Sequence, residues 1–366
     1  MNTTYELNNL RKDSDYVDSR HGQLRAGSVV SEVFSAMVDG KELSAIKGAD
    51  KAVNYIKELG SRASNGDPVA VAELNTLRRF YVEAPLLQEV KLLSVFGSYQ
   101  NVGYDETIER EVYDHVGEKS RAQANAGDVV FPMINKQIYQ VPTFTVSGGF
   151  AVDYRRVELG DMTKENEGME QVRIDIRNKA ALAVVNKVRN AIINATGVKF
   201  INQEAGLTKT NTDAAISKVR RFGKTTILGD YALLQEFTPW AGYVGTVNSN
   251  TITGISEAQM NQIAETGLLG MYNGSVLAEI PNPYNVTELN AAGDNFTTLL
   301  PMGLGFIIPT GVNSPIATWT RGGLTSFTGN NVKNGKVETR FDLEVAVDVA
   351  KGHEYEIGLI YDSNLG

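Results

Sequence analysis

From residue 138 onward the chain alternates: Ile138, Gln140, Pro142, Phe144, Val146, a Gly148-Gly149 pair, then Phe150, Val152 and Tyr154. A period of two in aromatic and β-branched residues predicts a strand with one buried face. Pro142 cannot donate a ladder hydrogen bond, so the strand is expected at an edge, or irregular there. The glycine pair reads as a break. Upstream, Ile108–Val116 is strand-like, and the small, polar run Gly117–Asp128 reads as a loop tip. Residues 105–160 are thus expected to form a long hairpin arm. Phe144, Val146, Phe150 and Val152 give it an apolar face that needs a surface outside its own domain.

The period then changes. Asp161 or Thr163 is placed to cap a helix, and Glu165 and Glu167 suit the positive end of its dipole. Met169, Val172, Ile176, Ala180 and Ala183 form one stripe at helical spacing. Ala181, Val184, Val185, Val188, Ile192 and Ala195 form another, and Gly197 ends the helix. The stripe rotates along the rod, so its two ends should pack on different partners. Before the arm, Ser31–Met37, Ala49–Leu59 and Val69–Tyr81 read as helices. Pro68 opens the third, which is expected to stop at Pro85. Residues 1–80 look like an arm or an appended helical region, too thin in apolar residues to bury itself alone.

After the long helix, strands and helices alternate over 211–317, as in a compact α/β unit. Asp213–Phe222 is helical, Thr225–Leu228 a buried strand, Asp230–Phe237 a helix, and Ser256–Glu265 a further helix capped by Ser256. Asn273-Gly274 marks a hairpin before Val276–Ile280, and Thr298–Pro309 is a buried strand region. Asn334-Gly335 signals a type I′ hairpin. Val337, Thr339, Phe341, Leu343, Val345, Val347 and Val349 then share one face, opposite Glu338, Arg340, Asp342, Glu344 and Asp348. Tyr355, Ile357, Leu359 and Tyr361 alternate again. Residues 318–366 are expected to form a half-buried antiparallel sheet covered by the long helix.

At 366 residues, with 42% hydrophobic and 21% charged positions, the chain has the composition of an ordinary globular protein. Net charge is −8, and Arg78-Arg79, Arg155-Arg156 and Arg220-Arg221 are isolated doublets read as solvated surface. Sequence-specific nucleic-acid binding is not expected. The polar start MNTTYELNNLRKDSDYVD is not a signal peptide. The longest apolar run, Leu299–Pro309, is too short for a membrane span. The absence of cysteine fits a reducing cytoplasm and excludes thiolate metal sites.

Sharper chemistry fails on spacing. Gly223-Lys224-Thr225 lacks the upstream glycine of a P-loop, position 218 being Lys, and precedes a strand where a P-loop opens a helix. Asp13, Asp15 and Asp18 miss an EF-hand ligand at Val17. His21, His115 and His353 have no metal-ligand spacing, and Ser147-Gly148-Gly149 is not a nucleophile elbow. No catalytic residue, cofactor or metal ligand is predicted. An α/β enzyme built on 211–317 would need a cluster of convergent polar groups, which the sequence does not offer.

The order of elements, with TTILGDYALLQEF (Thr225–Phe237), GLLGMYNGSVLAEIPN (Gly267–Asn282) and YQVPTFTVSGGFAVDYRRVEL (Tyr139–Leu159), resembles the major capsid proteins of tailed phages. The resemblance implies an α+β Hong Kong phage coat fold. Its parts would be an N-terminal arm (1–80), a first P-domain part (81–104), an E-loop (105–160), a spine helix (161–210), an A-domain (211–317) and a P-domain sheet (318–366). It also implies self-assembly as hexamers and pentamers into an icosahedral head, built in the host cytoplasm and ending in the virion. Phe144, Val146, Phe150 and Val152 would make inter-subunit contacts. Implied partners are further copies, packaged double-stranded DNA without sequence specificity, and portal, scaffolding or decoration proteins; no membrane is implied. Residues 1–80 are short for a scaffold segment, which favours a retained arm. Some relatives cross-link an E-loop Lys to an Asn, here Lys119 or Lys136 with Asn330 or Asn331. An encapsulin-type bacterial compartment is the alternative with a similar fold.

Overall fold

The computed structural model describes residues 28–113, 136–159, 163–240, 243–247, 250–254, 261, 263, 265–266, 268–290, 293–310, 314–331 and 333–365. The loop tip at 117–128, the caps Asp161 and Ser256, Lys119, His21, His115 and the Asp13–Asp18 cluster lie outside these residues.

In chain order the helices are α1 (Val29–Val38), α2 (Ala49–Ser64), α3 (Pro68–Lys91), α4 (Tyr154–Leu159), α5 (Thr163–Asn194), α6 (Lys209–Val219) and α7 (Tyr231–Gln235). The first strands are β1 (Ser98–Val102), β2 (Glu109–Tyr113), β3 (Lys136–Gln140), β4 (Thr143–Asp153), β5 (Phe200–Glu204) and β6 (Lys224–Gly229). They continue as β7 (Tyr243–Val247), β8 (Asn250–Gly254), β9 (Met271–Tyr272), β10 (Ser275–Glu279) and β11 (Tyr284–Leu289). The last are β12 (Phe296–Thr298), β13 (Leu304–Thr310), β14 (Ile316–Asn331), β15 (Lys336–Val349) and β16 (Gly358–Asp362). The class is mixed helix and sheet, as expected.

The chain divides into two compact units. One comprises Met1–Leu92, Thr143–Ala181 and Thr320–Val345; the other comprises Leu93–Pro142, Leu182–Trp319 and Ala346–Gly366. The division falls inside α5, between Ala181 and Leu182. Met169, Val172, Ile176 and Ala180 are buried on the first side and Val184, Val185, Val188 and Ile192 on the second. The apolar stripe is buried on both sides of the division.

In the first unit α1, α2 and α3 pack together through Val33, Phe34, Ile56, Leu59, Leu74 and Leu77, and α4 packs against α2. Residues 28–91 are thus helical and bury their apolar positions within the first unit, with Arg78 and Asn75 bonded to Glu165 and to Ser326 O. Asp67 Oδ1 accepts from Val69 N at 2.9 Å and Pro68 starts α3, as its position predicts. The helix does not stop at Pro85 but continues to Lys91. A mid-helix proline costs about 3 kcal/mol. Burying Val82, Leu86 and Val90 is worth about 1.5–3 kcal/mol each, so packing wins.

The β14–β15 hairpin carries β4 on the β15 side, at the edge of its sheet. The glycine pair does not break β4. A Cβ at Gly148 would lie 2.9 Å from Val172 Cγ1, and one at Gly149 would lie 2.8 Å from Thr339 O. Both glycines admit close approach within a continuous strand. In β15, Val337, Thr339, Phe341, Leu343 and Val345 are buried while Glu338 and Arg340 are exposed, as the alternation predicts. From Val345 to Val349 every residue is buried. The turn at 334–335 is not type I′. Only Gly335 has positive φ (64°), and its N–H closes a wider loop onto Asn331 O at 3.0 Å. Asn273 (φ 51°) and Gly274 (φ 76°) do both adopt left-handed backbone, as the I′ reading of that turn requires.

The second unit is built on a six-stranded sheet of order β5-β16-β13-β6-β10-β9, with β5–β16 and β6–β10 parallel. Ile216, Val219, Leu233, Leu234 and Phe237 pack with Ile227, Ile307 and Ile360 of the sheet. Here a further expectation is corrected. β16 does not extend the β14–β15 sheet but lies between β5 and β13, with Gly358, Leu359, Ile360 and Asp362 buried. Alternation reports which residues share a face, and is silent about which strand lies alongside.

Candidate assembly surfaces

The β2–β3 hairpin of the second unit is the part of the predicted arm that forms as paired strands. Its register runs from Glu109↔Gln140 to Tyr113↔Lys136. The strand run ends at Gln140 and resumes at Thr143, so Pro142 sits in the interruption that its missing N–H demands. Arg110 and Val112 face inward, while Glu109, Glu111 and Tyr113 face solvent. Ile108 and Val141 pack with Ala317, Trp319 and Ala346.

Arg110 fastens the hairpin at its base. Its Nη1 donates to Asp348 O at 2.8 Å and Asp348 Oδ2 at 3.2 Å, and its Nη2 donates to Pro315 O at 2.9 Å and Ser314 O at 3.1 Å. Tyr139, on β3, donates its hydroxyl to the same Asp348 Oδ2 at 2.6 Å, with Lys351 Nζ 4.3 Å from its ring centroid. Both strands are thus tied to one carboxylate.

Burial, followed by the Asp348 hydrogen bond, pushes the Tyr139 phenol up to about 12. The folded chain therefore keeps this proton after the unfolded chain, near the ordinary value of about 10, has begun to release it. The stabilisation is complete below about pH 10 and is lost as pH rises towards 12. Urea midpoints measured across that window should fall, and Tyr139→Phe should flatten the slope. An unchanged slope in the variant would assign the alkaline loss to other groups.

Cross-strand pairing sets Glu111 beside Ile138 and Tyr113 beside Lys136 on the outer side of the hairpin. Ile138 is 54% exposed and Tyr113 is 51% exposed. The four residues predicted for inter-subunit contact lie elsewhere, on β4 in the first unit. Val146 and Val152 are buried, and Phe144 and Phe150 are half-buried. Phe150 stacks on Phe341 at a centroid distance of 6.2 Å and packs against Gly168 of α5. The premise that this face has no partner in its own domain is therefore corrected. The outward side of the same sheet forms an open trough along Ser147, Gly149 and Ala151, with Arg340 donating to Ser147 Oγ at 3.1 Å. Phe327 at its margin is 60% exposed.

Two charged residues escaped the sequence reading. Arg78, taken as surface, has 0% exposure and forms a bidentate pair with Glu165, Nε–Oε2 at 2.7 Å and Nη2–Oε1 at 2.5 Å. Its Nη1 also donates to Thr339 Oγ1 at 3.2 Å. The signal was present, because Ala70, Leu74, Arg78, Val82, Leu86 and Val90 form an unbroken row at intervals of four. Arg110 likewise shares the inward parity of Ile108 and Val112.

No group of residues suited to a metal ion occurs among the described residues, and no described helix is long and apolar enough to cross a membrane. Lys224 begins β6 and Thr225 is buried, so the Gly-Lys-Thr run has no phosphate-loop geometry. Of the implied cross-linking residues, Lys136 pairs with Glu111 at 2.5 Å, which holds its ammonium above the usual range. Asn331 donates to Glu338 Oε1 at 2.7 Å.

A family model described as "SPbeta prophage-derived putative capsid protein YonB" matches residues 7–361, and the chain belongs to that family. It is a phage-type capsid protein, a component of the virion, and the resemblance to tailed-phage capsid proteins holds at family level. No curated protein matches the sequence. Similar solved structures include the capsid of a native GTA particle, 11% identical with a TM-score of 0.48 over 75% of this chain and 91% of that one. The Mycobacterium phage Bobi structure is 13% identical, TM-score 0.47, over 77% and 91%. The holo-SrpI encapsulin complex from Synechococcus elongatus PCC 7942 is 11% identical, TM-score 0.43, over 74% and 86%.

Proposed function

We propose that this protein is the major shell subunit of a tailed-phage head, with the Hong Kong phage coat fold, assembling as hexamers and pentamers around packaged double-stranded DNA. The family match over nearly the whole chain carries this reading. The β2–β3 hairpin supports it physically: it is tied down at its base by buried hydrogen bonds and presents Ile138 and Tyr113 outward. Apolar residues on an anchored hairpin gain most by burial against another copy. Of the four β4 residues, Phe144 and Phe150 retain surface for such a contact, whereas Val146 and Val152 hold the strand to its own subunit. Acidic net charge lets a shell hold polyanionic DNA without strong adhesion. Portal, scaffolding or decoration proteins complete the proposed partners, and the protein has a structural and not a catalytic role.

Negative-stain microscopy of the expressed chain, alone and with a scaffolding partner, should show icosahedral particles or capsomer rings. Ile138→Glu should abolish them while leaving the circular dichroism spectrum unchanged. Particles isolated from phage lysates should contain nuclease-protected DNA. A wild-type chain that stays monomeric under every assembly condition would sink the reading, and protein cargo in place of DNA would point to a bacterial compartment.

A further inference from the structure

The sequence holds three Asn-Gly pairs: Asn65-Gly66, Asn273-Gly274 and Asn334-Gly335. In such a pair the glycine nitrogen can approach the asparagine Cγ, because no Cβ stands in its way. The attack requires that nitrogen to give up its proton. At two of the pairs the N–H is already engaged. Gly66 N donates to Ala63 O at 3.0 Å, and Gly335 N donates to Asn331 O at 3.0 Å.

The third pair differs. Asn273 and Gly274 form the β9–β10 turn, both exposed and both left-handed. Among the described residues no backbone carbonyl accepts from Gly274 N. Instead the Arg220 guanidinium lies against the turn, and its Nη1 donates to Asn273 O, the carbonyl of the peptide whose nitrogen would react. A Cβ added at Gly274 would stand 2.5 Å from that Nη1. Once the Gly274 nitrogen loses its proton, the negative charge is shared with Asn273 O, where the guanidinium stabilises it.

We propose that Asn273 is a site of spontaneous deamidation assisted by Arg220. The Gly274 nitrogen forms a bond to Asn273 Cγ, the Cγ–Nδ2 bond breaks, and the side-chain nitrogen leaves as ammonia with the amide proton. Water then opens the cyclic imide at either carbonyl, giving aspartate or isoaspartate. Asn273 Nδ2 donates to Asp213 Oδ1 at 2.9 Å, so the product sets a carboxylate against Asp213 where a donor stood. Asp213 cannot turn away freely, since Tyr272 donates to it at 2.7 Å and Lys209 pairs with it at 3.5 Å. Isoaspartate also adds a methylene to the backbone, which a two-residue turn does not accommodate. The β9–β10 turn therefore loosens as the protein ages.

Peptide mapping by mass spectrometry of the full-length, unassembled subunit, sampled over days at mildly alkaline pH, tests this. In the native subunit Asn273 should convert about tenfold faster than Asn65 or Asn334, the scale of one hydrogen bond involving a charged group. In concentrated urea, where Arg220 no longer meets the turn, the three rates should converge. Arg220→Gln should slow native Asn273 about tenfold and leave the other two pairs unchanged. Arg220→Ala serves if the glutamine amide still reaches Asn273 O. A native ratio no larger than that in urea, or an unchanged rate at Asn273 in both Arg220 variants, would overturn the proposal.

Discussion

Arg78→Met is expected to destabilise the first unit by about 3–5 kcal/mol, because it leaves the Glu165 carboxylate buried without its cation. The methylene stem of Met fills most of the volume of the Arg stem, so the loss is chiefly electrostatic. Glu165 stands in the first turn of α5, whose dipole offsets part of the cost, though far less than a bidentate guanidinium does. Thr339 keeps a partner in Thr328 Oγ1 at 3.1 Å, so no further buried group is orphaned. Replacing both charges, Arg78→Met with Glu165→Leu, removes the unpaired ion and should recover most of the stability. Urea denaturation of the unassembled subunits checks the cycle. A double variant as unstable as the single one would show that shape, and not charge pairing, dominates the site.

Asp348→Ala should have the second large effect, with a different readout. It strips Arg110 of its counter-ion and Tyr139 of its acceptor in one step, leaving the guanidinium with three carbonyl oxygens alone. Breaking a buried pair of this kind costs ~3 kcal/mol or more. Since the broken bonds lie at the root of the β2–β3 hairpin, exchange protection in 109–113 and 136–140 should fall much further than in β6 or β13. Asp348→Asn retains an acceptor for Tyr139 and should lose less. If the shell reading holds, the Ala variant should also fail to assemble at concentrations where wild type does. Uniform loss of protection throughout the second unit would instead make Asp348 a general core residue.

The elements readable from the sequence are those in which one face is buried and the other wet. The alternation of β15 through Val345 is the clearest, because each outward Glu, Arg or Asp contrasts with an inward Val, Phe or Leu. The two stripes of α5 are legible for the same reason. What local pattern cannot supply is the identity of the neighbour. The parity of Leu359 and Tyr361 marks a strand, yet nothing within it says that β5 will lie alongside. The apolar face of β4 looked unpartnered because Val172 and Ile176, which come against Gly148, are more than twenty residues away and in a helix. Arg78 was hidden by its neighbour: an Arg-Arg doublet reads as surface, while the four-residue row buries the first member and leaves the second half-buried. Pro85 misled by a true rule, outweighed here by the burial of three residues beyond it. Of the candidate surfaces, the hairpin was visible from its sequence, but its fastening to Asp348 depends on a residue more than two hundred positions later.

The placement of β16 bears on the timing of synthesis. Phe200–Glu204 is at the edge of its sheet, and the strand it pairs with is Gly358–Asp362. At 5–20 residues per second a ribosome needs on the order of ten seconds to cover that interval. Throughout it β5 stands without its partner, and once residue 310 is made the facing edge of β13 does too. A nascent subunit thus carries two open backbone edges until translation passes residue 362. These edges are the sites at which premature contacts between neighbouring chains on one messenger would begin.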